Sequence, residues 1–225
     1  MSRLMIVSAA VAVLGVGAYF VTSPSTTSVT PANPLGAANA QEASAEIDTS
    51  TIAEMSLGNP DAPVTVIEYA SFTCPHCASF HAGAYKELKA DYIDTGKINF
   101  VYREVYFDRY GLWASMIARC AGTPEKFFGM ADLIYAGQSE WARAGEPTAI
   151  VAELRKIGRL AGLDAETMEA CLQDGEKAQT LVAWYQENAT ADGVESTPSF
   201  LINGEKHSNM PYADMAAIID AAAGE

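Results

Sequence analysis

The stretch "SFTCPHCASFH", Ser71–His81, holds two of the four cysteines and two of the three histidines in a chain of 225 residues. Two thiols separated by two residues can form a structural disulfide, half of a metal site, or a redox pair that opens and closes. The flanking sequence narrows the choice. On the N-terminal side, "APVTVIEYASF" (Ala62–Phe72) is β-rich and apolar on both alternating faces, as expected of a central strand covered on both sides. On the C-terminal side the period changes. Cys77, Phe80, Ala84, Leu88 and Tyr92 fall three or four apart, which predicts one apolar stripe on a helix ending near Thr95–Gly96. "KINFVYREV" (Lys97–Val105) then alternates like a second strand. The order β-α-β predicts two parallel neighbouring strands joined by a right-handed crossover.

Residues 107–191 are helical in period, in successive segments that end at or near glycine, with Thr123-Pro124 and Asp164 as helix starts. After them "FLI" and the residues following Asn203-Gly204 form a hairpin. "YADMAAIIDAAAG" closes the chain as a helix. The predicted fold is α/β: residues 47–106 and 192–225 form one small sheet with its helices, and a helical insertion, 107–191, separates its βαβ and ββα halves.

Ahead of this domain, Leu4–Val21 is an apolar run of 18 residues without a charge, preceded by Arg3. Residues 1–21 therefore read as a secretory signal peptide or an N-terminal membrane anchor, and 22–46, rich in Ser, Thr, Pro, Ala and Asn, as a flexible stem. Because no Lys or Arg occurs between Arg3 and Lys86, the charge bias places the following domain outside the cytoplasm. The net charge of −14 argues against non-specific binding to nucleic acid or to an anionic membrane surface.

Export changes how the cysteines read. In an oxidising compartment four cysteines make two disulfides more readily than a metal cage. A pair two residues apart closes too small a loop to be a useful staple, since the entropic benefit of a crosslink grows with loop length. A metal carrier using Cys74, Cys77 and a histidine would lack the second C-x-x-C or Cys/His cluster of a closed site. A redox pair is the favoured reading, with the metal carrier as the lesser alternative. Cys74 stands at the helix entrance, where unpaired amides and the positive end of the helix dipole stabilise a thiolate, and Pro75 suits the first helical position. Cys77 shares the apolar stripe and is shielded. The asymmetry makes Cys74 the nucleophile and Cys77 the resolving thiol.

His76 adds a donor or positive charge beside the Cys74 sulfur, against the reading that it is an exposed loop residue of no consequence. His81, one turn past Cys77, reads as an ordinary polar residue at the stripe's edge. Glu68 lies six residues before Cys74, on the strand face of Val64 and Val66. It is either a partly buried proton relay for Cys77 or a solvated strand-end carboxylate, and sequence alone leans to the latter.

Taken together, "VIEYASFTCPHC", "INFVYREV", the helical insertion and "STPSFLING" resemble the DsbA-like thiol-disulfide oxidoreductases, thioredoxin-fold proteins of the bacterial cell envelope. The resemblance covers residues 47–225. It implies a catalytic pair Cys74–Cys77 around the dipeptide Pro75-His76, the family's acid at Glu68, and a cis-proline at Pro198 whose preceding Thr197 binds substrate backbone. It implies no cofactor, substrates that are newly translocated cysteine-containing proteins in the periplasm, and a DsbB-like membrane quinone oxidoreductase as reoxidant. A reductase or isomerase on the same fold is the nearest alternative. Cys120 and Cys171, 51 residues apart in the helical block, read as a structural disulfide rather than a second redox pair, neither having an activating feature.

Overall fold

The computed structural model describes residues 47–224, so the expected leader or anchor over 1–21 and the stem over 22–46 lie outside the described residues. A short strand, β1 (Met55–Gly58), precedes β2 (Val64–Ala70). Two helices, α1 (Pro75–Ala82) and α2 (Ala84–Leu88), and a π-type turn over Lys89–Ile93 lead to β3 (Ile98–Glu104). The insertion comprises α3 (Arg109–Cys120), α4 (Pro124–Ala136), α5 (Gln138–Trp141), α6 (Pro147–Leu160), α7 (Ala165–Gln173) and α8 (Gly175–Ala191). The chain returns as the hairpin β4 (Ser199–Ile202) and β5 (Glu205–Ser208), followed by α9 (Tyr212–Ala223).

The sheet runs β1-β3-β2-β4-β5. β2 and β3 pair in parallel, from Val64 opposite Ile98 to Ala70 opposite Glu104, as the β-α-β pattern predicts. Alternation then sorts the side chains onto two faces. Val64, Val66 and Ala70 with Ile98, Phe100 and Tyr102 belong to the main core, while Tyr69, Val105 and Leu201 pack on the opposite face with Ala189 of α8. Both faces of β2 are therefore covered, which explains why its sequence is apolar at almost every position. The hairpin turn places Asn203 and Gly204 at φ of 47° and 85°, the pair of positive values that a two-residue turn of this hand needs.

Helix starts follow the side chains that serve otherwise unpaired amides. Asp108, Thr123, Asp164 and Asp174 each accept from a backbone N–H in the first turn of the helix that follows. The insertion is fastened to the sheet by Arg119, whose Nε and Nη2 each donate to Glu104 at 2.6 Å and whose Nη1 reaches the Ala53 carbonyl at 2.9 Å. Next to Arg119, Cys120 is joined to Cys171 of α7.

Three elements depart from the sequence reading. β1 is too short, at four residues, to show a period, and it forms because it can pair antiparallel with the β3 edge. It ends at Gly58 with φ +92°, where a Cβ would lie 2.3 Å from the Ile98 carbonyl oxygen, so a side chain does not fit. The single helix expected after Cys77 breaks at Gly83, whose φ of −125° and ψ of −96° leave the helical region. Cys77, Phe80, Leu88 and Tyr92 are nevertheless all buried, so the stripe survives the break. The one-turn helix α5 follows Gly137 and carries no period of its own.

Candidate active site

Cys74 is the N-cap of α1, with extended φ and ψ and no side-chain capping bond as a thiol. Pro75 occupies the first turn. The amides of His76 and Cys77 therefore meet no other cap, and an N-cap anion is the group they are placed to serve. Ionised, Cys74 would fill that role. Its thiol is lowered to a pKa of about 5 by the hydrogen bond from the Cys77 thiol, opposed by burial, and further by Thr197 and the backbone amides of Cys77 and His76. Cys77 is driven far upward, by burial first, then by its bond to Cys74 and the charge of Glu68. The two thiols are thus strongly unequal: Cys74 is half-buried and acidic, Cys77 fully buried and held neutral.

The loop before the nucleophile is held from both halves of the molecule. Cys74 N donates to Ser71 O at 3.0 Å. Thr73 Oγ1 donates to Asp108 Oδ2 at 2.7 Å, while Asp108 Oδ1 caps α3. From α5, the buried Gln138 donates through Nε2 to both Phe72 O, 2.8 Å, and Cys74 O, 2.9 Å. On the other side, the Thr197–Pro198 peptide bond is cis, and the Cys74 thiol donates to Thr197 O at 3.4 Å. Thr197 Oγ1 is buried with no hydrogen-bond partner among the described residues, which leaves it available to the sulfur.

Beneath the cysteines lies Glu68, fully buried in the centre of the sheet between Tyr102 and Phe200. The solvated strand-end reading of Glu68 is therefore wrong. β2 is an inner strand, and the face that carries Val64 and Val66 belongs to the main core, where Met215 and Ile219 of α9 also pack. His81 Nε2 contacts both carboxylate oxygens, at 3.2 and 3.0 Å. His81 is likewise not an edge residue: it is 4% exposed. His76, by contrast, is exposed, and residue 76 reaches the sulfur through its backbone amide.

This geometry invites comparison with known proteins. The thioredoxin family model matches residues 50–221. A crystal structure of Wolbachia pipientis alpha-DsbA1 superimposes with a TM-score of 0.70 at 28% identity, covering 76% of this chain and 91% of that one. The chain belongs to the thioredoxin family, among its DsbA-like proteins. A Rickettsia bellii protein assigned as a protein-disulfide oxidoreductase is 37% identical over 172 residues, which are 76% of this chain and 65% of that protein. Disulfide bond formation protein D of Bacillus subtilis is 24% identical over 171 residues, 70% of each chain. The DsbA-like chain thus spans somewhat less than two thirds of the length of the Rickettsia relatives it matches.

Two site residues of this DsbA-like chain escaped the sequence. His81 stands four residues past Cys77 and four before Tyr85, so helical spacing alone could have placed it on the buried stripe rather than at its edge. Gln138 gives no comparable signal. It reaches the loop only because α5 turns back over it from the insertion.

Proposed function

We propose that this chain is an exported protein thiol-disulfide oxidoreductase that introduces disulfide bonds into translocated proteins. The inequality of the two thiols supports this reading, with Cys74 at a pKa of about 5 above a buried, neutral Cys77. A stabilised thiolate stabilises the dithiol, so the disulfide is a strong oxidant, and Cys74 is a good leaving group.

In the first step a substrate thiolate attacks Cys74 Sγ of the Cys74–Cys77 disulfide, and Cys77 departs with the electron pair. Its buried thiolate takes a proton, for which Glu68 is the donor. A second substrate thiolate then attacks the substrate sulfur of the mixed disulfide and releases Cys74 as thiolate. The substrate has lost two electrons and the enzyme holds a dithiol. Thr197, beside the sulfur, offers its carbonyl to an extended substrate backbone. The Cys120–Cys171 bond acts as a structural crosslink. Periplasmic substrates and a DsbB-like membrane quinone oxidoreductase as reoxidant complete the proposal, supported by the apolar N-terminus and the family.

The test is the equilibrium of the Cys74–Cys77 pair against glutathione, with oxidation of a reduced, unfolded substrate in the same buffer. A pair that glutathione readily reduces, together with stoichiometric oxidation of substrate, is expected. A pair that stays oxidised under those conditions, or that only rearranges scrambled disulfides, would point to a reductase or isomerase.

A further inference from the structure

The Glu68 carboxylate is fully buried on an inner strand and exposes no surface to solvent. A group that must deliver a proton on each turnover must also be resupplied. His81 is its polar neighbour, and the ring occupies an unusual place. Nε2 faces Glu68, while Nδ1 is buried and has no hydrogen-bond partner among the described residues. Buried polar atoms are nearly always paired, so an unpaired imidazole nitrogen beside an active site calls for an explanation.

His81 also lines an open cleft of about 380 Å³, together with Lys86 of α2 and Asp132 and Tyr135 of α4. His81 is clamped by aromatic rings: Tyr135 stacks on it at 4.3 Å between centroids, Tyr85 lies at 4.4 Å and Tyr102 at 6.0 Å. These rings fix the imidazole plane without competing for its nitrogens, since Tyr102 and Tyr135 bond to each other at 2.6 Å. The titratable or charged groups around His81 are thus Glu68 on β2, Cys77 on α1, Tyr85 and Lys86 on α2, Tyr102 on β3, and Asp132 and Tyr135 on α4. Asp132 stands exposed on the cleft rim, yet partial desolvation against the wall raises its carboxyl, opposed by His81, Lys89 and Lys86.

We infer that His81 is the proton conduit between Glu68 and solvent, taking protons at Nδ1 from water in the Asp132–Lys86 cleft and passing them from Nε2 to Glu68. The inference rests on the reading of Glu68 as proton donor to Cys77. When Cys77 leaves as a thiolate, the Glu68 carboxyl gives it a proton and becomes a carboxylate. His81 Nε2–H then returns a proton to the carboxylate, and Nδ1 takes one from a water molecule of the cleft. The ring ends with its proton on the other nitrogen, and tautomer exchange or a ring flip resets it. In reoxidation the same steps run backwards. His81 touches no reacting sulfur and acts through Glu68, so it is a positioning residue with a proton to carry.

The experiment follows release of Cys77 when the oxidised full-length protein meets excess glutathione, by rapid acid quench and alkylation across a pH series. His81→Ala should slow this step about 10-fold or more, within the range for a lost general acid or base. Imidazoles added to His81→Ala should enter the space bordering the cleft and restore the rate, more acidic and more basic members of the series differing according to their own pKa. Glu68→Gln should be slow and unaffected by imidazoles. Rescue that ignores azole pKa would show that His81 only fills space and would overturn the inference. Full speed in His81→Ala, with Glu68→Gln slow, would leave Glu68 its role but send the proton by another path. Full speed in Glu68→Gln would sink the donor reading and this inference with it. Should His81→Ala not fold, His81→Gln decides: its amide can still donate to Glu68 but cannot ferry a proton. A normal rate there overturns the inference, and a slow rate with unchanged stability and a lost pH inflection supports it.

Discussion

Two buried carboxylates lie on the same face of the sheet, two residues apart in register, and they are treated in opposite ways. Glu104 meets a guanidinium that is charged at every working pH, gripped at 2.6 Å through both oxygens, with Ser115 Oγ donating at 2.9 Å. Glu68 meets an imidazole, whose second nitrogen has no hydrogen-bond partner among the described residues. A carboxylate whose partners are permanent and complete fixes structure. One whose partner is a single, incompletely satisfied imidazole is held less completely. Burial alone does not separate the two, since Glu104 is 1% exposed and Glu68 fully buried.

The contrast is most sharply tested by removing one partner at each place. Arg119→Ala should leave Glu104 as an uncompensated buried charge and cost about 3–5 kcal/mol in chemical denaturation. His81→Ala at the other site should cost much less, because it removes one imidazole contact rather than a guanidinium that grips both carboxylate oxygens. Equal costs would erase the distinction between the two carboxylates.

The Glu104 end also carries the Cys120–Cys171 bond, directly after Arg119. Replacing both cysteines with Ala should destabilise the protein by up to about 4 kcal/mol in the loop-entropy model for a 51-residue separation, with oxidation of a model dithiol nearly intact. Lost catalysis in a folded double variant would show that the crosslink belongs to the chemistry.

At the Glu68 end, stability should depend on redox state and pH. The Cys74 pKa is lower in the folded protein than in the unfolded chain, so its contribution is complete above the ordinary thiol value and disappears as pH falls through about 5. The oxidised protein has no such thiol. The reduced form should therefore be more stable near pH 8, by about 2–3 kcal/mol once solvent screening of the half-buried sulfur is allowed for, and the gap should close by pH 4. A gap that is flat with pH would exclude the thiolate as its source.

The smallest effect expected is at His76. His76→Ala should raise the Cys74 pKa only slightly and make the disulfide only a slightly weaker oxidant, since residue 76 reaches the sulfur through its backbone amide, which the substitution keeps, and the Cys77 thiol remains. Thiolate absorbance against pH measures this directly. No change, in an intact fold, would remove the imidazole from the account of the thiolate.

What could be read in advance follows from how locally each feature is determined. The parallel β2–β3 pair, the hairpin at Asn203-Gly204 and the capped helices of the insertion rest on periods and end signals contained within a dozen residues. The unequal roles of Cys74 and Cys77 follow from their offset at a helix start. Glu68 was ambiguous because its burial depends on which strands become its neighbours, here β3 and β4, the latter about 130 residues downstream. Gln138 was invisible for the same reason: nothing near Gly137 states that the following turn will cover Phe72 and Cys74.

Gln138 carries one more implication. A single amide nitrogen holds two carbonyls of the loop that presents the nucleophile, yet that nitrogen belongs to a segment inserted between the two halves of the sheet domain. Any hinge movement of the insertion must stretch both bonds or drag the loop along. Displacing the insertion and displacing the loop that presents Cys74 thus become one mechanical coordinate.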